Sequence, residues 1–95
     1  MLAELRINIF QEQLNTIFEV VDAASSLTLA QIGIHAQTEK HEAFSLFFDG
    51  PAAPFLPQRT YTLRQAVLGE VDMFLVPVGR KGDGFQYEAV FNHVF

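Results

Sequence analysis

Residues 70–92 read Glu70-Val71-Asp72-Met73-Phe74-Leu75-Val76-Pro77-Val78, then Gly79-Arg80-Lys81-Gly82-Asp83-Gly84, then Phe85-Gln86-Tyr87-Glu88-Ala89-Val90-Phe91-Asn92. The outer two runs alternate. Val71, Met73 and Leu75 share one parity, and so do Phe85, Tyr87, Ala89 and Phe91. Alternation is the strand signal, because successive side chains of an extended backbone point to opposite faces. The glycine-rich middle reads as a hairpin turn. It is not a phosphate cradle of the dinucleotide-binding kind, since that motif must open a helix and here a strand follows. The inward residues are odd-numbered on both sides, so paired numbers must sum to an even value. A three-residue loop, 80–82, meets that condition and puts Gly82 where a positive φ is needed. It would set Leu75 opposite Tyr87, Met73 opposite Ala89 and Val71 opposite Phe91.

The same period runs upstream. Strands are expected at 15–22, 26–37, 43–49 and 59–65, before those at 69–78 and 84–92. In the second, Leu27 and Leu29 share one parity and Ile32, Ile34 and Ala36 the other. A strand does not change faces without cause, so a bulge is expected near Ala30-Gln31. Pro77 lacks an amide proton and belongs at an edge, a bulge or a strand end. The proline-rich connection Gly50-Pro51-Ala52-Ala53-Pro54-Phe55-Leu56-Pro57 is stiff and extended. Residues 1–13 break the period. Leu2, Leu5, Ile9, Phe10 and Leu14 fit a helical stripe, and a short helix is favoured over an extended arm. The expected fold is all-β, with about six antiparallel strands in a meandering, strongly curved sheet or small barrel. A β-sandwich is the alternative. The chain reads as one domain, 1–95, with an N-terminal helix or arm over 1–13 and a β domain over 14–95.

The outward set of the fifth strand poses a problem. Glu70 and Asp72 suit water, whereas Phe74, Val76 and Val78 do not, and Phe47 and Val90 add apolar surface nearby. Burying such side chains is worth roughly 1.5–3 kcal/mol each. Two covers suggest themselves: the N-terminal segment, which is favoured, or a second subunit. Phe55-Leu56 are apolar for a loop. They either cap an open end of the core or form a docking tip.

Composition narrows the function. Six Lys and Arg against eleven Asp and Glu leave a formal charge of −5, which argues against a nucleic-acid binder. With no cysteine the chain is not a disulfide scaffold. No apolar run approaches the length of a membrane span, and the N-terminus does not read as a signal peptide, so a cytoplasmic protein is expected. A core this small, with ten Phe and two Tyr to pack, competes with any large ligand cavity.

Chemistry-bearing residues are sparse. His35, His41 and His93 lie in separate elements, and His41, Glu42 and Glu39 read as a solvated turn, so no metal site is expected. No Gly-x-Ser-x-Gly occurs. Glu70 and Asp72 share a face, as an acid–base pair requires, but an exposed pair at a strand start beside a turn reads as ordinary solvation. No catalytic residue and no cofactor is expected.

A set of short words carries a family likeness: Phe44-Ser45-Leu46-Phe47-Phe48-Asp49-Gly50-Pro51, Leu56-Pro57-Gln58 with Thr60-Tyr61-Thr62-Leu63, Leu68-Gly69, Phe74-Leu75-Val76-Pro77-Val78-Gly79, and Tyr87-Glu88-Ala89-Val90-Phe91-Asn92. They resemble a family of small bacterial domains of unknown function associated with phage-tail-like collar proteins. The resemblance implies an accessory or assembly role and supplies no catalytic residue or ligand. The leading expectation is a non-enzymatic interaction or structural module whose partner is another protein or a second copy. Its expected contacts are Phe47, Phe55, Leu56, Phe74, Val76 and Val78. One alternative is a small-ligand barrel with a mouth lined by Tyr61, Tyr87 and Arg59. The other is a hydrolase using Glu70, Asp72 or a histidine.

Overall fold

A computed structural model describes residues 5–95 of the chain. Helix α1 (Ile7–Gln11) leads into β1 (Ile17–Val20), and a 3₁₀ turn over Val21–Ala23 precedes β2 (Ser25–Gln37). Strands β3 (His41–Gly50), β4 (Arg59–Gln65), β5 (Gly69–Lys81) and β6 (Gly84–Val94) follow. All six strands pair antiparallel and close into a barrel in the order β1-β2-β3-β6-β5-β4. Closure decides for the barrel over the sandwich. Consecutive strands pair except across the proline-rich link, after which β6 returns to lie beside β3, a Greek-key connection.

Alternation drives the core. Phe18, Val20, Leu27, Leu29, Phe44, Leu46, Phe48, Tyr61, Leu63, Met73, Leu75, Tyr87 and Ala89 all point inward and are buried. The bulge expected near Ala30 is present, where β2 shifts register between Leu29 and Gln31. A second shift, between Ile34 and Ala36, has no warning in the alternation.

The β5–β6 hairpin corrects the expected register. Lys81 pairs with Gly84, so the loop is the two residues Gly82-Asp83, with Gly82 at φ +57° as the first position of a tight hairpin requires. Gly79 faces Gln86, but past Val78 the pairing becomes Pro77 with Tyr87 and Val76 with Glu88. A two-residue loop alone would put the two inward sets on opposite faces. The bulge beside Pro77 inserts one residue and restores them to one face. The expected core faces are therefore present, while the loop is 82–83 instead of 80–82 and Tyr87 pairs with Pro77 instead of Leu75.

The N-terminal segment also lies elsewhere than expected. Its described residues, from Leu5 onward, do not cover the outer face of β5. Ile7 and Phe10 are fully buried, and Phe10 packs against the inward rings of Phe44 (5.9 Å between centroids) and Phe91 (5.4 Å). Helix α1 thus closes one end of the barrel. The stripe that buries is Ile7 with Phe10, helped by Leu5, while Leu14 is exposed and Leu2 lies outside the described residues.

Candidate functional site

The outer face of β3, β6 and β5 carries a group of apolar side chains around one carboxylate, Glu88. One cross-strand row runs Phe47, Glu88, Val76. Val90, two residues along β6 from Glu88, and Phe74, two residues along β5 from Val76, extend it on the same face. Phe74 is 50% exposed, Val78 46% and Val90 66%; Val76 and Phe47 are half-buried. The half-burial of Phe47 has a local cause: its ring lies over Gly33 on β2, where an added Cβ would sit 3.4 Å from the Phe47 ring edge. An aromatic ring resting on a strand glycine supplies the packing that the glycine lacks.

The expected docking tip is split. Phe55 is 47% exposed and lies edge-on to Phe85, with ring centroids 5.0 Å apart. Leu56 is 2% exposed, and its amide donates to the Tyr87 hydroxyl at 3.0 Å. Leu56 therefore caps the barrel and is not available as a contact. The Tyr61 hydroxyl donates to the Pro57 carbonyl, and burial pushes the phenol of Tyr61 up from its usual range. Both tyrosines are buried beneath the proline-rich link that they hold, so Tyr61 and Tyr87 do not line an open mouth. Arg59 stays exposed, stacked on the Tyr61 ring at 4.8 Å and 3.8 Å from Asp22.

The carboxylates offered for hydrolysis are exposed and engaged across the β4–β5 ladder. Glu70 accepts from Arg64 at 2.7 Å, a contact that raises the guanidinium's pKa, and Asp72 accepts from the Thr62 hydroxyl at 2.8 Å. His35 is the residue left unpaired at the second β2 bulge and bonds Ser45 at 3.0 Å, covering that outward serine. His41 bonds Asn92. Among the described residues no three His, Asp or Glu side chains gather as a metal would require.

Two polar clusters gave no clear sequence signal. Glu42, expected in a solvated turn, is buried on β3. Its Oε1 accepts from the Ile7 amide at 3.0 Å, and its Oε2 accepts from Arg6 at 3.2 and 3.3 Å. The Ile7 bond holds the carboxyl below its ordinary value; burial opposes that, and Arg6 adds to it. Beside it His93, its register partner, sits among Phe44, Phe91 and Phe95 with a buried Nε2 that no group satisfies among the described residues. At the far side of α1, Gln65 donates to Gln13 at 2.7 Å and to Thr16 at 3.2 Å, and accepts from the amides of Val67 and Leu68. Both clusters fasten α1 and the strand ends. The partners that fasten the α1 segment, Arg6 and Ile7 to Glu42 and Gln13 to Gln65, lie 35 to 52 positions apart and leave no local spacing to read.

The closed barrel and the exposed Phe74, Val78 and Val90 on its outer face define an all-β domain that carries apolar side chains on its surface. Residues 5–91 match the family described as Domain of unknown function (DUF6916), and the chain belongs to that family. Comparison with curated proteins and with solved structures gives no match. No helix among the described residues is long and apolar enough to cross a membrane.

Proposed function

We propose that this domain is a non-enzymatic interaction or structural accessory module. It docks another protein on the outer face of β3, β6 and β5, as an accessory part of a phage-tail-like assembly. One observation carries the reading. The inward side chains are buried and both ends of the barrel are capped, while Phe74, Val78 and Val90 stay exposed on one outer face. Exposed apolar surface of this kind marks interaction sites, and aromatic anchors dominate their energetics. A ligand-binding barrel would need Tyr61 and Tyr87 released from the proline-rich link. A hydrolase would need Glu70 and Asp72 released from Arg64 and Thr62.

A photo-crosslinking residue at Phe74, in cells that make the protein, tests the proposal. The expected result is a discrete adduct with a structural protein of a tail-like particle, absent when the label sits at Gln11. An adduct with an unrelated protein would remove the assembly role and keep the docking face. No adduct, together with a constant monomeric mass over a concentration series, would remove both.

A further inference from the structure

The apolar face has a carboxylate at its centre. Glu88 stands between Phe47 on β3 and Val76 on β5 in one cross-strand row, with Val90 beside it on its own strand. It is half-buried, and no ion pair reaches it among the described residues. The chain's cations are placed elsewhere. Arg6 binds Glu42, Arg59 lies by Asp22, Arg64 binds Glu70 and Lys81 binds Asp49. Arg80 lies over Phe85, and Lys40 sits in the β2–β3 turn. Covering this face without supplying a counter-charge would strand a carboxylate away from water, at a cost that an apolar contact does not offset.

That requirement selects the occupant. A two-fold pair of copies would bring two Glu88 carboxylates into one interface and so double the charge to be met, in a chain already at net charge −5. A nucleic acid would present phosphates to the same carboxylate. Building on the docking reading above, we propose that the occupant is a segment of a different protein. It presents a Lys or Arg flanked by apolar side chains on one face, the cation on Glu88 and the apolar groups on Phe47, Phe74, Val76 and Val90. In an extended segment, apolar residues two positions either side of the cation meet this geometry, because alternate side chains share a face.

The probes are three peptides, acetyl-TLTKTLT-amide and its counterparts with Gln or Glu in place of Lys, titrated into the full chain labelled with nitrogen-15. The Lys peptide is expected to shift the amides of residues 47, 74, 76, 88 and 90 and to bind about fivefold tighter than the Gln peptide, with the Glu peptide weakest. Glu88→Gln should erase the preference, and Glu88→Lys should reverse it. Glu88→Gln is near-isosteric and keeps the test open if Glu88→Lys fails to fold. Equal binding of all three peptides at this face would overturn the cation requirement and leave the docking reading standing. No shift at the face combined with a concentration-dependent dimer abolished by Phe74→Ser would assign the face to a second copy and overturn the inference alone. No shift with a constant monomeric mass would overturn both.

Discussion

The two ends of the β3–β6 ladder are closed by unlike devices. At the end where His41 pairs with Val94, helix α1 inserts Ile7 and Phe10 beneath Phe44 and Phe91, and a buried carboxylate on β3 holds its first turn. At the end where Gly50 pairs with Phe85, no α-helix among the described residues is present. The proline-rich link lays Leu56 over the barrel and is tied by two tyrosine hydroxyls. The first closure is an aromatic cluster with an ionic clasp; the second is a stiff strap with neutral clasps. Both close the barrel, but they should differ in how they fail.

The aromatic end should carry the larger share of stability. Phe10→Ala removes a fully buried ring with two aromatic neighbours and should cost about 3–5 kcal/mol. Leu56→Ala at the strap should cost about 2–5 kcal/mol, toward the lower part of that range because the loop can settle into the gap. Urea unfolding of both variants gives the comparison. A Leu56→Ala loss exceeding that of Phe10→Ala would make the strap the principal closure.

The strap end has a steric weakness that the helix end lacks. A Cβ at Gly84 would overlap the carbonyl oxygen of Gly50, where β3 and β6 begin to pair. Backbone cannot yield as a side chain would, so Gly84→Ala should cost about 1–3 kcal/mol and shift the amides around Gly50 and Phe85. Tyr87→Phe leaves the ring in place and strands the Leu56 amide, for about 1–3 kcal/mol. If both variants unfold with the parent's midpoint, the strap does not contribute to closure.

The sequence disclosed these ends unequally. Parity alone placed Leu63, Met73, Leu75, Tyr87 and Ala89 in the core, and prolines announced the strap. Parity could not fix the β5–β6 register, because a two-residue loop plus one bulge and a three-residue loop without a bulge send the same residues inward. The apolar outer face was legible from Phe74, Val76 and Val78 standing where polar residues belong. Its cover was misjudged because α1 is short, and the pair that buries, Ile7 and Phe10, overlaps a stripe that could be drawn through Leu5 and Ile9. Glu42 was invisible as a clasp, since its partners lie 35 and 36 positions away and burial of a carboxylate leaves no trace in local composition.

The smallest effect expected is also the one that separates the two ends most cleanly. Glu42 has a folded-state pKa below its ordinary value of 4.5, so the folded protein favours the charged form. A lowered carboxylate pKa contributes stability that is full above the unfolded value and is lost as pH falls through the folded one. Acidification should therefore loosen the α1 end first. On titration from about pH 7 to pH 3, the Ile7 amide proton should shift as its carboxylate acceptor protonates, while the Leu56 amide, bonded to a phenol, should move little. Glu42→Gln should abolish the Ile7 response without altering that of Leu56. Parallel movement of both amides would mean that acid opens the barrel as a whole and that the ionic clasp has no separate role.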